Sequence, residues 1–225
     1  MPASAKRKTA DPVLAIETVS RKPQQGRSKA SLERMLQAAE KLMLERGSEE
    51  FTLQEVSKAG NVSIGSIYLR FESKENLVRA VIANELERIE RDEDRMMAKV
   101  TAMSKDLAQF VRNYVEAYAE FLRHHAPLLR LGMLRAENDP LVAEPGKRSA
   151  FRSAEVAINA MLAHRGEFGG NDHEKRANAA YQIIFATLAR TLSLGSTGES
   201  AHPHDWKELK TELARMCLAY LKHTD

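Results

Sequence analysis

Apolar positions recur along this chain at helical spacing almost from end to end, and no stretch alternates with the period of a strand. Leu32, Met35, Leu36, Ala39, Leu42 and Met43 mark one face of a helix over 28–46, which Gly47 ends. Phe51 then leads into a pair of short helices. The first, from Thr52 to Lys58, turns Leu53 and Val56 inward and carries Thr52 as its cap. Gly60 and Asn61 both suit the left-handed backbone of a tight turn, Val62 plugs the corner, and Ser63 caps a second helix over 64–69. Ile67 and Phe71 point back to the core. Ser73 with Asn76 opens a fourth helix, whose apolar side runs through Leu77, Val78, Val81, Ile82, Leu86 and Ile89.

The stretch 85–95 is dense in both charge signs and reads as a solvated helix with pairs four residues apart. Leu107, Phe110, Val111, Tyr114, Val115, Tyr118, Phe121 and Leu122 form a broad face ending near Pro127. A short greasy segment, 128–134, follows, and 142–148, with Pro145 and Gly146, reads as a loop. Phe151, Ala154, Ile158, Met161 and Leu162 mark the next helix. In the last two helices Ala177, Tyr181, Ile184, Leu188 and Thr191 recur at spacings 4, 3, 4, 3, and Trp206, Leu209, Leu213, Met216 and Tyr220 at 3, 4, 3, 4. Such seams belong to helices packed at a shallow angle. Pairing within the chain is one use of them. A four-helix interface between two copies, built on Tyr181, Ile184, Leu188, Trp206, Leu209, Leu213, Met216 and Tyr220, is the expected one.

Helix, short turn and helix is the arrangement that presents a second helix to the major groove of DNA. Ser63, Ile64, Gly65 and Ser66 begin that helix, at the end that approaches base edges; Gly65 permits close backbone approach, and Ser66 bonds either kind of edge. Thr52, Tyr68, Arg70 and Lys74 suit phosphates, which fix register. The residues Thr52, Ala59 to Ser63, Gly65, Ile67, Tyr68, Phe71 and Ser73 to Leu77 resemble the DNA-binding module of the TetR family of bacterial transcriptional regulators. Asn61 stands where a glycine is usual, and Leu69 and Arg70 where aromatic residues, His or Arg are common. The resemblance covers about residues 25–81. It implies an all-α protein in which an N-terminal three-helix helix-turn-helix domain joins a C-terminal helical bundle for ligand binding and dimerisation. It also implies an inducer pocket without naming its residues. The large, adaptable side chains of the middle helices supply candidates: Met103, Phe110, Tyr114, Tyr118, Met133 and Met161.

The expected organisation is a disordered basic arm over 1–25, a DNA-binding domain over 26–72 with its helix-turn-helix at 52–71, a connecting helix over 73–100, and a regulatory and dimerisation domain over 101–225. Charge sharpens the picture. The whole chain is only +3, yet seven cations face two acids up to Lys29, a distribution that favours a polyanion. No apolar run reaches the ~18–20 residues that span a bilayer, and the basic N-terminus has no apolar segment behind it. Cys217 is the single cysteine, which fits a reducing compartment, and the cytoplasm is expected. No nucleophile elbow, phosphate-binding glycine loop or cysteine pair is present, so neither catalysis nor a cofactor is expected. His124 and His125 are neighbours on a helix and point about 100° apart, and His202 and His204 lie in a Ser/Gly-rich loop; no metal site is expected from either pair.

The reading is therefore a ligand-responsive regulator, a repressor, that binds double-stranded DNA at a palindromic operator as a homodimer and takes a small apolar or aromatic effector. Two rivals differ from it in kind. One is an architectural DNA-binding protein without an effector, and the other an adaptor whose helix-turn-helix binds a protein.

Overall fold

The computed structural model describes residues 26–194 and 205–224. The basic arm and the loop histidines His202 and His204 lie outside the described residues. Within them the regular elements are helical: α1 (Gly26–Arg46), α2 (Leu53–Ala59), α3 (Ile64–Arg70), α4 (Lys74–Ala102), α5 (Leu107–Ala136), α6 (Pro140–Leu162), a 3-10 turn (Arg165–Glu167), α7 (His173–Thr191) and α8 (Trp206–Lys222). Among the described residues no helix is long and apolar enough to cross a membrane.

Short polar side chains fix where most of these helices begin. Thr52 and Glu55 form a reciprocal capping box on α2, the Thr52 amide donating to the Glu55 carboxylate at 2.8 Å and the Glu55 amide to the Thr52 hydroxyl at 3.2 Å. Ser63 accepts from the Ser66 amide at 3.1 Å, Ser73 from the Asn76 amide at 3.3 Å, and Asp106 from the Gln109 amide at 2.7 Å. Each cap satisfies an amide that the first helical turn leaves without a partner.

Two apolar cores follow. In the first, Met35, Leu36, Ala39 and Met43 of α1 meet Phe51, Val56, Val62, Ile67, Phe71 and the start of α4 through Leu77, Val78, Val81 and Ile82. The second gathers Met97 and Val100 from the end of α4, the aromatic face of α5, Ala157 and Met161 of α6, and the inner faces of α7 and α8. Helix α4 thus contributes to both.

Two expected breaks are absent. The helix does not end near Pro127, and 128–134 is no separate segment: α5 runs through Pro127 to Ala136. Leu128 and Leu131, beyond the proline, are buried in the first core. Proline inside a helix costs about 3 kcal/mol, whereas burying two leucines returns roughly 1.5–3 kcal/mol each. Burial wins. The stretch 142–148 is likewise helical, with Pro140 in the first turn of α6 and Pro145 buried inside it. Val142 joins the first core, while Phe151 is 71% exposed and leaves Ala157 and Met161 to anchor the helix.

The sharpest steric demand lies in the turn after α2. A Cβ on Gly60 would stand 3.0 Å from the Arg34 carbonyl oxygen, 3.1 Å from that of Val56 and 3.3 Å from the Ala38 Cβ, so α1 crosses here at glycine distance. Gly60→Ala should therefore lower stability by about 1–3 kcal/mol through overpacking, measured by chemical denaturation. Gly65→Ala, with nothing within 4 Å of the new atom, should leave stability unchanged or raise it by up to ~1 kcal/mol.

Candidate nucleic-acid interface

The turn between α2 and α3 is shaped by one left-handed residue. Asn61 takes φ 47°, while Gly60 stays right-handed at φ −85°, so only one of the two residues expected to adopt the left-handed form does so. Gly60 is needed for the close approach of α1 instead. The Ser57 hydroxyl donates to the Val62 carbonyl at 2.6 Å and the Val62 amide to the Ser57 carbonyl at 3.1 Å, which closes the corner.

With Ile67 and Phe71 sealed beneath, α3 turns Ser63, Gly65, Tyr68 and Leu69 to solvent and holds Ile64 and Ser66 half-buried at the rim. Tyr68 is 53% exposed. Thr52 is exposed at the start of α2, on the flank of the same surface. The Ser63 and Ser66 hydroxyls lie 2.7 Å apart, so the capping side chain is hydrogen-bonded to the serine three residues on. Leu69, exposed and apolar, was not among the expected contacts; its place one residue after Tyr68 was the available signal.

The two cations assigned to this surface sit differently. Arg70 is only 8% exposed, and burial lowers its pKa. It is a buried residue at the end of α3. Lys74 is half-buried, its ammonium donating to the Glu49 carbonyl at 2.9 Å and lying 5.3 Å from the centre of the Phe51 ring. Its stem covers an aromatic that the small core cannot enclose by itself. The hydrogen bond from Arg46, together with bonds from the Thr52 amide and hydroxyl, draws the Glu55 carboxyl down to about 2.

Ion pairs tie this module to the rest of the chain on two sides. On one side the buried Asp139 carboxylate, at the cap of α6, accepts from Arg79 of α4 at 2.8 Å and from Arg135 of α5 at 2.9 Å, and Arg135 also reaches Glu49 at 2.8 Å. Burial alone would raise the Asp139 pKa, but the two guanidinium groups outweigh it and the net shift is downward. On the other side Arg88 bridges Glu40 of α1, at 2.7 Å, and Glu85 of its own helix, and Glu85 meets His125 of α5 at 2.7 Å. The charged stretch 85–95 is thus not wholly solvated. Glu85 and Glu93 are buried, and Glu93 accepts from Arg152 and from the Ser153 hydroxyl, each at 3.0 Å. Partners on neighbouring helices add to the expected pairs along α4, of which Arg91 and Glu87 form one at 3.8 Å.

The six proposed pocket residues do not line one space. Phe110, Tyr114, Tyr118 and Met161 are buried together, with Phe110 stacked on Tyr114 at 5.9 Å and Tyr114 on Tyr118 at 5.2 Å. The Tyr114 hydroxyl is buried without a hydrogen-bond partner among the described residues, and burial pushes its pKa up. Met103 is 69% exposed and Met133 is exposed as well. A groove of about 550 Å³ does open between α4 and α5, lined by Met96, Val100, Met103, Ala117 and Phe121 and edged by Asp92, Glu116 and Glu120. Met103 is the only one of the six that borders it. Met96, Val100 and Met103 follow helical spacing, so extending the α4 pattern past Arg95 would have found them.

The proposed interface residues also divide. Tyr181, Ile184, Leu188 and Leu213 are buried in the second core. This part of the 3–4 seam closes within the chain, where α7 and α8 pack on each other and on α5. Trp206 and Leu209 are half-buried, the Trp206 indole donating to Glu120 at 2.7 Å. Met216 and Tyr220 stay exposed, as does Ile183 of α7, which the seam pattern omitted.

Residues 35–81 match the family model described as bacterial regulatory proteins, tetR family. That segment holds most of α1, the helix-turn-helix and the start of α4. No curated protein matches the chain. Many solved structures share its fold, among them the following three. A transcriptional regulator from Cytophaga hutchinsonii ATCC 33406 is 21% identical, with a TM-score of 0.61 over 85% of this chain and 98% of that one. The fatty acid degradation regulator FadR from Bacillus halodurans is 14% identical, with a TM-score of 0.60 over 90% and 100%. A protein from Saccharomonospora viridis, solved in complex with choline, is 16% identical with a TM-score of 0.63 over 84% and 95%.

The Glu55 carboxyl carries a pH signature. Its pKa falls from an ordinary 4.5 to about 2 on folding, so the stabilisation is complete above about pH 4.5 and is lost as pH falls towards 2. Glu55→Gln keeps an acceptor for the Thr52 amide but discards the ion pair with Arg46. The wild type should melt above the variant at neutral pH, and the gap in Tm should close steadily as the pH is lowered from about 4.5, followed by circular dichroism.

Proposed function

We propose that this protein is a ligand-responsive transcriptional regulator, a repressor, that binds a palindromic operator as a homodimer through residues 52–71. The observation that carries the proposal is the outer face of α3. Gly65 has open space around it and Tyr68 stands out from the surface, on a short helix locked from below by Ile67 and Phe71. Packing needs neither a glycine nor an exposed tyrosine there, whereas a duplex approaching the helix has use for both. The tetR-family match over 35–81 supports the same reading.

In this reading Ser63, Ile64, Gly65 and Ser66 face base edges in the major groove, and Thr52, Tyr68 and Lys74 meet phosphates. The basic arm adds contacts along the backbone in the cytoplasm, where the DNA is. Two copies join through the outer faces of α7 and α8, where Ile183, Met216 and Tyr220 are exposed. A small apolar or aromatic effector enters the bundle beside α4 and α5 and favours a dimer whose two α3 helices no longer match major grooves ~34 Å apart. Its leverage is bounded by its differential affinity for the two geometries.

Genomic footprinting of the purified protein tests this directly. One protected inverted repeat per site is expected; uniform coverage would replace the regulator with an architectural protein. On the repeat so found, Tyr68→Ala and Lys74→Ala should weaken binding to all DNA, and Gly65→Ala should weaken it without loss of stability. Ser66→Ala should instead change preference at one base pair, by about 1–3 kcal/mol.

A further inference from the structure

Three metal-ligating side chains meet where α4 passes α5. Asp92, His124 and His125 each offer a ligand atom, and these atoms all lie within 4.8 Å of one another. Adjacent histidines on a helix do face apart, and the two rings stand edge to face at 82°. Their centroids are nonetheless only 4.9 Å apart, and Asp92 reaches the pair from the neighbouring helix.

His125 is the informative member. It is 3% exposed, and its Nδ1 lies 2.7 Å from Oε1 of the buried Glu85. Arg88 holds the other Glu85 oxygen. A carboxylate at that distance takes the Nδ1 proton as a hydrogen bond and leaves the ring lone pair on Nε2. That Nε2 is buried with no hydrogen-bond partner among the described residues, and it sits 3.4 Å from Asp92 Oδ2. Arg95 pairs with Asp92 Oδ1, which fixes Oδ2 as the oxygen turned to the ring. Two lone pairs set face to face repel unless a metal ion or a proton lies between them. A tetrahedral ion with bonds of ~2.0–2.1 Å separates its ligands by roughly 3.3–3.4 Å, which is the separation found here.

We propose that Asp92, His124 and His125 bind a divalent transition-metal ion of the Zn²⁺ class, with Glu85 as the carboxylate that orients His125. Two imidazoles and a carboxylate are a donor set such ions favour. Glu85, hydrogen-bonded behind the ring, repeats the carboxylate–histidine–metal arrangement that sharpens affinity. His124 is exposed, and its ligand atom lies within 4.8 Å of those of the other two. Asp92 also borders the α4–α5 groove, which leaves the remaining coordination position open to water or to a donor atom of a ligand lodged there. The ion would pin α4 to α5 at the end of the Glu40–Arg88–Glu85 chain that leads into the DNA-binding module.

The test is titration of the full chain, stripped of metal and carrying His202→Ala and His204→Ala, with Zn²⁺ in a calorimeter and with Co²⁺ by visible absorption. One ion per chain is expected, together with the intense d–d bands of four-coordinate cobalt. Asp92→Asn and His124→Ala, both at partly or fully exposed positions, should keep the wild-type circular dichroism and melting curve while weakening Zn²⁺ binding at least ~10-fold. Glu85→Gln should weaken it about 10–100-fold. Failure to take up either ion at one per chain would overturn the site and leave a proton as the bridge between His125 and Asp92. Undiminished binding in both Asp92→Asn and His124→Ala would overturn it equally, by placing the ion elsewhere.

Discussion

Helix α4 cannot be assigned to either half of this molecule, and most of what the structure does follows from that. Its 29 residues extend about 43 Å at 1.5 Å per residue. Leu77, Val78, Val81 and Ile82 complete the core under the helix-turn-helix, and Met97 and Val100 enter the core of the bundle. Helix α5 makes the reverse journey, with Phe110, Tyr114 and Tyr118 in the bundle and Leu128 and Leu131 beside α1. A displacement of either long helix in the bundle is therefore a displacement beneath α3, because packed cores transmit movement instead of absorbing it.

Charge sets the registration of these helices. The Asp139 cluster fastens α4, α5 and α6 to the loop before α2, and the Glu40–Arg88–Glu85–His125 chain fastens α1, α4 and α5 on another side. Such pairs add little net stability, since desolvation consumes much of their attraction, but removing one partner strands the other at a cost of several kcal/mol. They accept one arrangement of the helices and penalise the alternatives. A ligand or ion that altered one of these contacts would act on the relation between bundle and DNA-binding module, which is the relation a regulator must change.

The N-terminal module was legible because its determinants are local. Thr52 with Glu55, Ser63 with Ser66 and Ser73 with Asn76 are caps readable at three-residue spacing, and Val56, Ile67 and Phe71 lie where helical periodicity puts a core. What failed was decided at long range. Pro127 and Pro145 signal breaks in isolation, but burial of the side chains around them holds α5 and α6 intact. Met103 and Met133 have the chemistry of pocket residues, but chemistry does not say which face a residue occupies. The seam of α7 and α8 has the same spacing whether it closes on its own chain or on another. Glu85 and Glu93 looked solvated because their partners, His125 and Arg152, are distant in sequence. The meeting of Asp92 with two histidines was hidden for the same reason.

Helix α4, shared by both cores, makes them one cooperative unit. Amide hydrogen exchange in the wild type and in Met161→Ala tests it most directly. That substitution empties a site deep in the bundle, remote from α1 in sequence, and should cost about 2–5 kcal/mol. The slowest amides of α1 and of the first half of α4 should lose protection along with those of α5 to α8. Loss confined to the bundle, with α1 as protected as before, would contradict it.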